Sequence, residues 1–156
     1  MTTVESKLGR ARLLIMACLF LIICSFASCN SRSSNNTSPK FQQYYVQGEQ
    51  LYQQYCSNCH QKDGSGLGLL YPPLDTSDFM QRHLEDVVCL IKNGKQGSLV
   101  VNGKEYNQAM PALGISDLEI AEIATYIYNS WSHQEGLLDV KFVSEILTSC
   151  DSLTLK

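Results

Sequence analysis

Apolar residues recur at helical spacing in three stretches of the chain, over residues 44–55, 77–94 and 116–131. The recurring positions are Gly48, Leu51, Tyr52 and Tyr55 in the first stretch, Leu84, Val87, Val88 and Ile91 in the second, and Ile120, Ile123, Ala124, Ile127 and Trp131 in the third. Residues three or four apart share one face of an α-helix, so each stretch predicts a helix with one apolar side. The pattern therefore predicts three main helices.

Local signals mark the ends of these helices. Ser116 followed by Glu119 forms a capping box, which predicts the start of the third helix. Gly94 is a typical C-terminal stop for the second helix. A short fourth helix is predicted over residues 139–150, where apolar residues again repeat at helical spacing.

A small β-hairpin is predicted before the third helix. Two β-rich runs within residues 98–106 flank Asn102-Gly103, the pair favoured in a type I′ turn. The segments 61–74 and 107–114 contain several glycines and prolines, so we expect loops there. The expected fold is all-α, with one small hairpin and a C-terminal helical tail over residues 134–156.

The N-terminus has the features of an export signal. A segment with three basic residues precedes an apolar run over residues 13–27. About 20 apolar residues are needed to span a bilayer, so this run is short for an anchor and typical of a signal peptide. It ends in Phe-Ala-Ser-Cys, which resembles the lipobox of bacterial lipoproteins, with Phe where Leu is usual. We predict a signal peptide over residues 1–28 and lipidation of Cys29.

An uncleaved helical anchor and plain secretion with unmodified Cys29 are the alternatives, and all three interpretations export the domain. The residue after Cys29 is Asn30 rather than the Asp that often holds lipoproteins at the inner membrane, which favours the outer membrane. Residues 29–43 are expected to form the lipidated end and a flexible tether, because residues 30–38 are rich in Ser and Asn. The expected location is a periplasm-facing membrane, after export across the bacterial inner membrane.

Composition excludes some classes of function. The 156 residues include 12 Lys and Arg against 15 Asp and Glu, a formal net charge of −3, so no basic surface argues for nucleic acid binding. The sequence also offers no Ser/His/Asp set, no phosphate-binding loop and no paired-carboxylate motif. We therefore expect neither an enzyme nor a small-molecule substrate.

The seven cysteines carry most of the candidate chemistry. Cys56, Cys59 and His60 form the motif C-x-x-C-H, which is open to three uses: half of a zinc site, a redox dithiol, or covalent attachment of haem. A zinc site needs four ligands, and no second close pair is present. A thioredoxin-like site needs a βαβ context, and no strand-rich run precedes Tyr55. The adjacent histidine favours haem, with both thiols joined to its vinyl groups and His60 on the iron.

A haem at this motif needs a second axial ligand and an apolar pocket. Met110 lies in a loop before Pro111, and a thioether ligand suits a haem that transfers electrons. The alternative is that Met110 is a core residue, in which case Met80 is the next candidate. The carbonyls of residues 71–74 are candidates to orient the ring of His60. The candidate pocket residues are Leu74, Leu99, Val101 and Tyr106.

Residues from about 44 to 131 resemble the class I monohaem c-type cytochromes of bacterial periplasms. The resemblance rests on the C-x-x-C-H motif, on Gly48 and Tyr52 upstream of it, and on the Met-Pro pair downstream. It implies a class I cytochrome c fold, with three main helices around one covalent haem c. The cytochrome c domain is expected over residues 44–133, and the tail over 134–156 departs from the family pattern.

The resemblance also implies roles for individual residues. Cys56 and Cys59 would hold the haem, and His60 and Met110 would ligate its iron. Pro72 would accept a hydrogen bond from His60. Gly48 and Tyr52 would cross the last helix beside three of its residues, Ile123, Tyr126 and Ile127.

The function implied is electron transfer: a membrane-tethered carrier of single electrons between respiratory or periplasmic redox proteins. Its partners would be those redox proteins and, through the N-terminal lipid, the membrane. The rival is a haem subunit of a redox enzyme or a gas-binding sensor, which requires that Met110 is not a stable ligand.

Cys89 and Cys150 remain once the signal, the lipid and the haem have taken the other cysteines. Export favours oxidation, so these two are candidates for one disulfide that would fix the tail to the second helix. The alternative is a pair of unrelated thiols, because connectivity cannot be derived from sequence.

Overall fold

Six helices and one two-stranded sheet occur in residues 38–150, the part of the chain that the computed structural model describes. The helices are α1 (Pro39–Tyr55), α2 (Ser57–His60), α3 (Asp78–Arg82), α4 (Leu84–Asn93), α5 (Asp117–Ile127) and α6 (Val140–Leu147), and the strands are β1 (Leu99–Val101) and β2 (Lys104–Tyr106). The predicted helical fold with one small hairpin is confirmed. Within residues 38–150, no helix combines the length and apolarity needed to cross a bilayer. The predicted signal peptide and Cys29 lie outside the described residues.

Helix α1 begins earlier than the apolar pattern predicts. The hydroxyl of Ser38 accepts a hydrogen bond from the amide of Phe41 (3.1 Å), and Pro39 occupies the first helical position. Both features favour the start of a helix. The cap pairs one of the free amides of the first turn, and proline has no amide hydrogen that would be left unpaired there. Residues 39–43, which we assigned to the tether, are therefore helical.

Helices α1 and α5 cross at Gly48. A Cβ atom at this position would lie 2.0 Å from the carbonyl oxygen of Glu122 and 2.8 Å from Cβ of Tyr126, so only glycine lets the two backbones approach. One turn later, the ring of Tyr52 packs against Tyr126 with centroids 5.3 Å apart. This crossing fixes the end of α1, from which the C-x-x-C-H motif continues.

Helix α5 is buried from Ile120 to Ile127, because α1 packs on one side and α6 on another. The predicted capping box is present at its start: Ser116 accepts from the amide of Glu119, and the Glu119 carboxylate accepts from the amide of Ser116. The prediction that this helix reaches Trp131 is wrong. The side chain of Asn129 donates to the carbonyl of Thr125 (2.8 Å), and the helix ends at Ile127.

The single helix predicted over residues 77–94 is also wrong, since the chain breaks at His83 into α3 and α4. His83 has φ −133° and ψ 49°, outside the helical region. Its ring stacks on Phe79 with centroids 4.7 Å apart, and its Nδ1 lies 3.1 Å from a carboxylate oxygen of Asp86. These side-chain contacts accompany a change of direction that brings Met80 into the core.

The predicted hairpin is confirmed, with Leu99 opposite Tyr106 and Val101 opposite Lys104. Asn102 and Gly103 both have positive φ, 51° and 70°, as a type I′ turn requires. The turn is fixed to α3 by Asp78. The carboxylate of Asp78 accepts from the amide of Asn102 (2.7 Å), and the Asn102 side chain accepts from the amide of Asp78 (2.9 Å).

The C-terminal tail forms helix α6, as the apolar repeat predicts. The carboxylate of Asp139 caps it by accepting from the amide of Phe142 (3.0 Å). Val143 and Ile146 are buried in the core, where α6 packs against α5 and α4.

Candidate functional site

An apolar cavity lies where the end of α1, the residues after His60, α4, the hairpin and residues 107–115, the Met110 loop, meet. It consists of two adjoining pockets of about 760 Å³ and 600 Å³ of empty space, counting open solvent at the mouth. Six residues line both pockets: Cys56, His60, Pro72, Leu90, Leu99 and Met110. Among the described residues that line them, only Lys95 carries a full charge. The cavity is therefore suited to a large apolar group.

His60 is brought to the cavity wall by local structure. Helix α1 ends at Tyr55, and the single turn of α2 places His60 at its last position. The Nδ1–H of His60 donates to the carbonyl oxygen of Pro72 (3.0 Å), which leaves Nε2 as the ring nitrogen available to a metal. Loss of solvent lowers the pKa of His60, so the ring is held in the neutral form that can ligate.

The loop after His60 is closed by short backbone hydrogen bonds. The amide of Gly66 donates to the carbonyl of His60 (3.0 Å), and the amide of Leu74 donates to the carbonyl of Gly64 (2.8 Å). Gly66 has φ +70°, and a Cβ atom there would lie 2.4 Å from the carbonyl oxygen of Tyr71. Only glycine fits this position. The close backbone approach that it allows places the Pro72 carbonyl next to His60.

Cys56 and Cys59 are both free thiols at the edge of the same cavity. Burial raises the pKa of the Cys56 thiol to about 12, and the neighbouring Cys59 adds to the shift. A redox dithiol needs the opposite, a lowered pKa that exposes a thiolate. A zinc site has no support either: among residues 38–150, no three His, Cys, Asp or Glu side chains are placed to hold a metal ion.

Met110 reaches the cavity from a loop that is held by the residues after α4. Its amide donates to the carbonyl of Lys95 (3.0 Å), and its carbonyl accepts from the amide of Lys95 (2.8 Å). Gly94 lets this pairing form, because a Cβ atom there would lie 2.5 Å from the Met110 carbonyl oxygen and 2.6 Å from the amide nitrogen of Ala112. The structure thus brings His60 and Met110, far apart in sequence, to the walls of one cavity.

The candidate pocket residues lie where the sequence analysis expects a pocket. Leu99 lines both pockets, Leu74 and Val101 line the pocket of about 600 Å³, and Tyr106 lines the pocket of about 760 Å³. Ile123 and Ile127 also line the cavity, and they lie on the predicted apolar face of α5. Leu90 lines both pockets and is not among the predicted positions.

Met80 lines the pocket of about 600 Å³ together with His60 and Met110, and the residue is 2% exposed. Its backbone is fixed at both ends, since its amide donates to the hydroxyl of Ser77 (3.2 Å) and its carbonyl accepts from Tyr128 (3.0 Å). The sequence offers this position as a ligand only by elimination. It lies on α3, which ends just before the break at His83.

The cavity fits haem c. It offers two free thiols three residues apart, a neutral histidine with one ring nitrogen left for iron, a methionine, and walls that are mostly apolar. Thiols, imidazole and thioether are the groups that hold and ligate haem in c-type cytochromes. No other set of residues in the described part of the chain combines these donors.

A family model described as "Cytochrome C oxidase, cbb3-type, subunit III" matches residues 45–127. The chain belongs to this family of c-type cytochromes. The match spans the chain from α1 to the last residue of α5, and so contains every element of the cavity. Membership implies a covalently bound haem c, in agreement with the donors found.

The cytochrome also has individual relatives. Over 89 residues it is 30% identical to cytochrome c-552 of Thermus thermophilus and to the protein of that name from a second source of the same species; the match covers 54% of this chain and 67% and 60% of the two relatives. Over 131 residues it is 28% identical to the fructose dehydrogenase cytochrome subunit of Gluconobacter japonicus, covering 78% of this chain but 25% of that subunit. The chain thus spans about two thirds or less of each relative.

The two remaining cysteines of the described residues are joined. Cys89 in α4 and Cys150 after α6 form a disulfide with their Cα atoms 5.5 Å apart. Both side chains are buried, with 6% and 7% exposed. The tail beyond the family match is therefore covalently linked to α4.

Proposed function

We propose that this cytochrome is a membrane-tethered monohaem carrier of single electrons between redox proteins. The observation that carries the proposal is the placement of His60 and Met110 on one apolar cavity together with Cys56 and Cys59. Cys56 and Cys59 would form the thioether bonds, and His60 and Met110 would be the axial ligands. With His60 and Met110 both on the iron, no coordination position would remain for a substrate, which supports a carrier rather than a catalyst.

When bound, haem c would supply one-electron exchange between its ferric and ferrous states. The protein's part is to hold the ligands still. Pro72 accepts from the Nδ1–H of His60, which fixes the ring and its tautomer. The Lys95 pairing fixes the backbone of Met110. The walls of the pocket that both residues line are mostly apolar, which would disfavour water beside the iron.

Spectroscopy of a Met110 variant tests this assignment. Met110→Ala should abolish the weak long-wavelength absorption band of a sulfur-ligated ferric haem, open the iron to carbon monoxide, and lower the reduction potential. Met80→Leu is the matched control, because it removes the other cavity sulfur while keeping an apolar side chain of similar volume. If Met80→Leu loses the band and Met110→Ala keeps it, the ligand is Met80. A mature protein without the added mass of one haem, in a host that attaches haem, refutes the proposal as a whole.

We propose further that cleavage before Cys29 and lipidation of Cys29 tether the cytochrome to a periplasm-facing membrane, with the outer membrane favoured. The basic segment, the short apolar run and the Phe-Ala-Ser-Cys sequence support this. Cys29→Ser should move the protein from membranes to the soluble fraction. Retention at the membrane with residues 1–28 still attached would establish an uncleaved anchor instead.

A second candidate function is that of a haem subunit within a larger redox enzyme. The match to a fructose dehydrogenase cytochrome subunit favours it, because it covers 78% of this chain. Purification from mildly solubilised membranes separates the two. A dehydrogenase or oxidase that accompanies the cytochrome at fixed ratio supports the subunit, and a cytochrome that elutes alone supports the carrier.

A further inference from the structure

The C-terminal strap, residues 134–150, lies beyond the matched family residues 45–127, yet it is built into the core. Val143 of α6 is fully buried. The strap is hydrogen-bonded to α5, because the hydroxyl of Thr125 donates to the carbonyl of Leu138 (3.1 Å) and accepts from its amide (3.2 Å). Its covalent attachment, however, is to α4, through the disulfide from Cys150 to Cys89.

Helix α4 is the element that this disulfide holds, and it borders the candidate haem site. Leu90, the residue after Cys89, lines both pockets of the cavity. Four residues further on, Gly94 ends the helix against the Met110 loop, where a Cβ atom would lie only 2.5 Å from the Met110 carbonyl oxygen. A displacement of α4 would therefore shift both the cavity wall and the Met110 backbone.

The Met110 loop, residues 107–115, is hydrogen-bonded to Lys92 of α4 and to Lys95, which follows that helix. Lys95 forms both backbone hydrogen bonds to Met110, at 2.8 Å and 3.0 Å. The ammonium group of Lys92 donates to the carbonyl of Ile115 (3.2 Å). Among the hydrogen bonds found for residues 38–150, these three are the ones that join this loop to another element. The position of α4 thus sets the position of Met110.

We propose that Cys89 and Cys150 are positioning residues for the distal ligand: their disulfide holds α4 in the place from which Lys92, Gly94 and Lys95 present Met110 to the iron. This inference rests on the proposed ligation by Met110. It differs from a purely stabilising disulfide, which would raise the stability of the whole fold and leave the equilibrium between a closed and an open Met110 loop unchanged.

Competition by imidazole separates the two roles. Imidazole added to the ferric holoprotein binds only where the Met110 sulfur has left the iron, so its apparent affinity reports the open fraction of the loop. In the double variant Cys89→Ala, Cys150→Ala we expect imidazole to bind roughly tenfold more tightly, equivalent to about 1.4 kcal/mol. Val143→Ala is the matched control, because it weakens the packing of the strap and keeps the disulfide. It should lower the denaturant midpoint and change the imidazole affinity by less than about twofold.

Two results overturn the inference. One is a double variant that is less stable than the wild type yet binds imidazole with the same affinity. In that case the disulfide only stabilises the attachment of the strap. The other is a Val143→Ala protein that gains as much affinity as the double variant. A wild-type protein without a sulfur-ligand absorption band refutes the proposed ligation itself, and is recognised before any variant is compared.

A second measurement serves if the double variant does not accumulate as holoprotein. Dithiothreitol reduces the disulfide of the wild type, giving two protein thiols with two electrons and two protons while the reagent closes to its cyclic disulfide. Carbon monoxide should then bind the ferrous iron roughly tenfold faster than in protein reduced with ascorbate, whose disulfide stays intact. An unchanged rate, with both thiols shown free by thiol counting, contradicts the inference.

Discussion

The two sides of the cavity are built by different kinds of contact. On the His60 side the partners are close in sequence, since Pro72 accepts from the ring and Gly66 donates to the backbone. On the Met110 side the partners are Lys92 and Lys95, which lie before the hairpin. The first geometry is encoded within one short segment, and the second depends on where α4 lies. A change on the first side should therefore act on stability, and a change on the second side should act on ligation.

The largest effect on stability is expected from Gly66→Ala. A Cβ atom would meet the Tyr71 carbonyl at 2.4 Å, in a backbone conformation that costs L-residues energy, and the closed loop cannot move aside. We expect a loss of about 3 kcal/mol in the free energy of unfolding, measured by denaturant titration of the holoprotein. The sulfur-ligand band should persist in the fraction that folds.

Gly68→Ala is the control in the same loop. Gly68 also has positive φ, +58°, but no atom lies within 4 Å of its Cβ position. The Gly68→Ala variant should lose about 1 kcal/mol of unfolding free energy, the cost of placing an L-residue at positive φ. Equal losses of unfolding free energy in the two variants would show that the contact between the added Cβ atom and the Tyr71 carbonyl at position 66 costs no stability.

Gly94→Ala should cost less stability and disturb the iron more. Its Cβ atom would lie 2.5 Å from the Met110 carbonyl, but the Met110 loop has few bonds and can shift away. We expect a loss of about 2 kcal/mol in unfolding free energy and weaker sulfur ligation, measured as tighter imidazole binding to the ferric protein.

Gly97→Ala is the comparison for this side, with φ +73° and only the Lys95 ammonium nitrogen nearby, at 3.9 Å. It should leave imidazole binding unchanged. If Gly94→Ala also leaves it unchanged, Met110 is not held from the end of α4.

Lys92→Met removes one of the three bonds to the Met110 loop and keeps the apolar part of the side chain. The lost bond to the carbonyl of Ile115 is partly exposed, as is the 3.5 Å pair with Asp117, so the loss of stability should be about 1 kcal/mol or less. Imidazole affinity should rise by about twofold. Weaker imidazole binding in Lys92→Met would contradict the expectation that this bond holds the Met110 loop closed.

The smallest effect is expected from Pro72→Ala. The variant keeps the carbonyl oxygen that accepts from His60, because that group belongs to the backbone. The added freedom of the unfolded chain should cost up to about 1 kcal/mol, with the visible spectrum and the reduction potential unchanged. A changed potential would show that the ring of proline itself, and not its carbonyl, positions His60.

The same contrast explains what could be predicted from sequence. The Ser116 capping box and the Asn102-Gly103 turn are each encoded by a few neighbouring residues, and the helix and hairpin they predict are present. The pairing of Lys95 with Met110 has no such local signal. It joins two irregular segments across the hairpin, so its register emerges only when the fold brings them together.

The two wrong helix boundaries have the same origin. The break at His83 goes with a stacked Phe79 ring and an Asp86 contact, which override an apolar repeat that continues through the break. The early end of α5 goes with Asn129, whose side chain bonds both to Thr125 and to Gly136 in the strap. Periodicity records which residues prefer burial, and it does not record side chains that take over backbone groups.

The nearly uncharged lining of the cavity has an electrostatic consequence. With Lys95 as the only fully charged side chain among the lining residues of the described chain, the walls behave as a medium of low dielectric constant. Such a medium solvates net charge poorly, so it favours whichever oxidation state of an enclosed centre carries less of it. For a haem, that state is the ferrous one, and burial is therefore one of the protein's means of raising the reduction potential. In the proposed carrier, walls with few charged and polar side chains would also reorient little when the charge changes, which would keep the energetic cost of each electron exchange small.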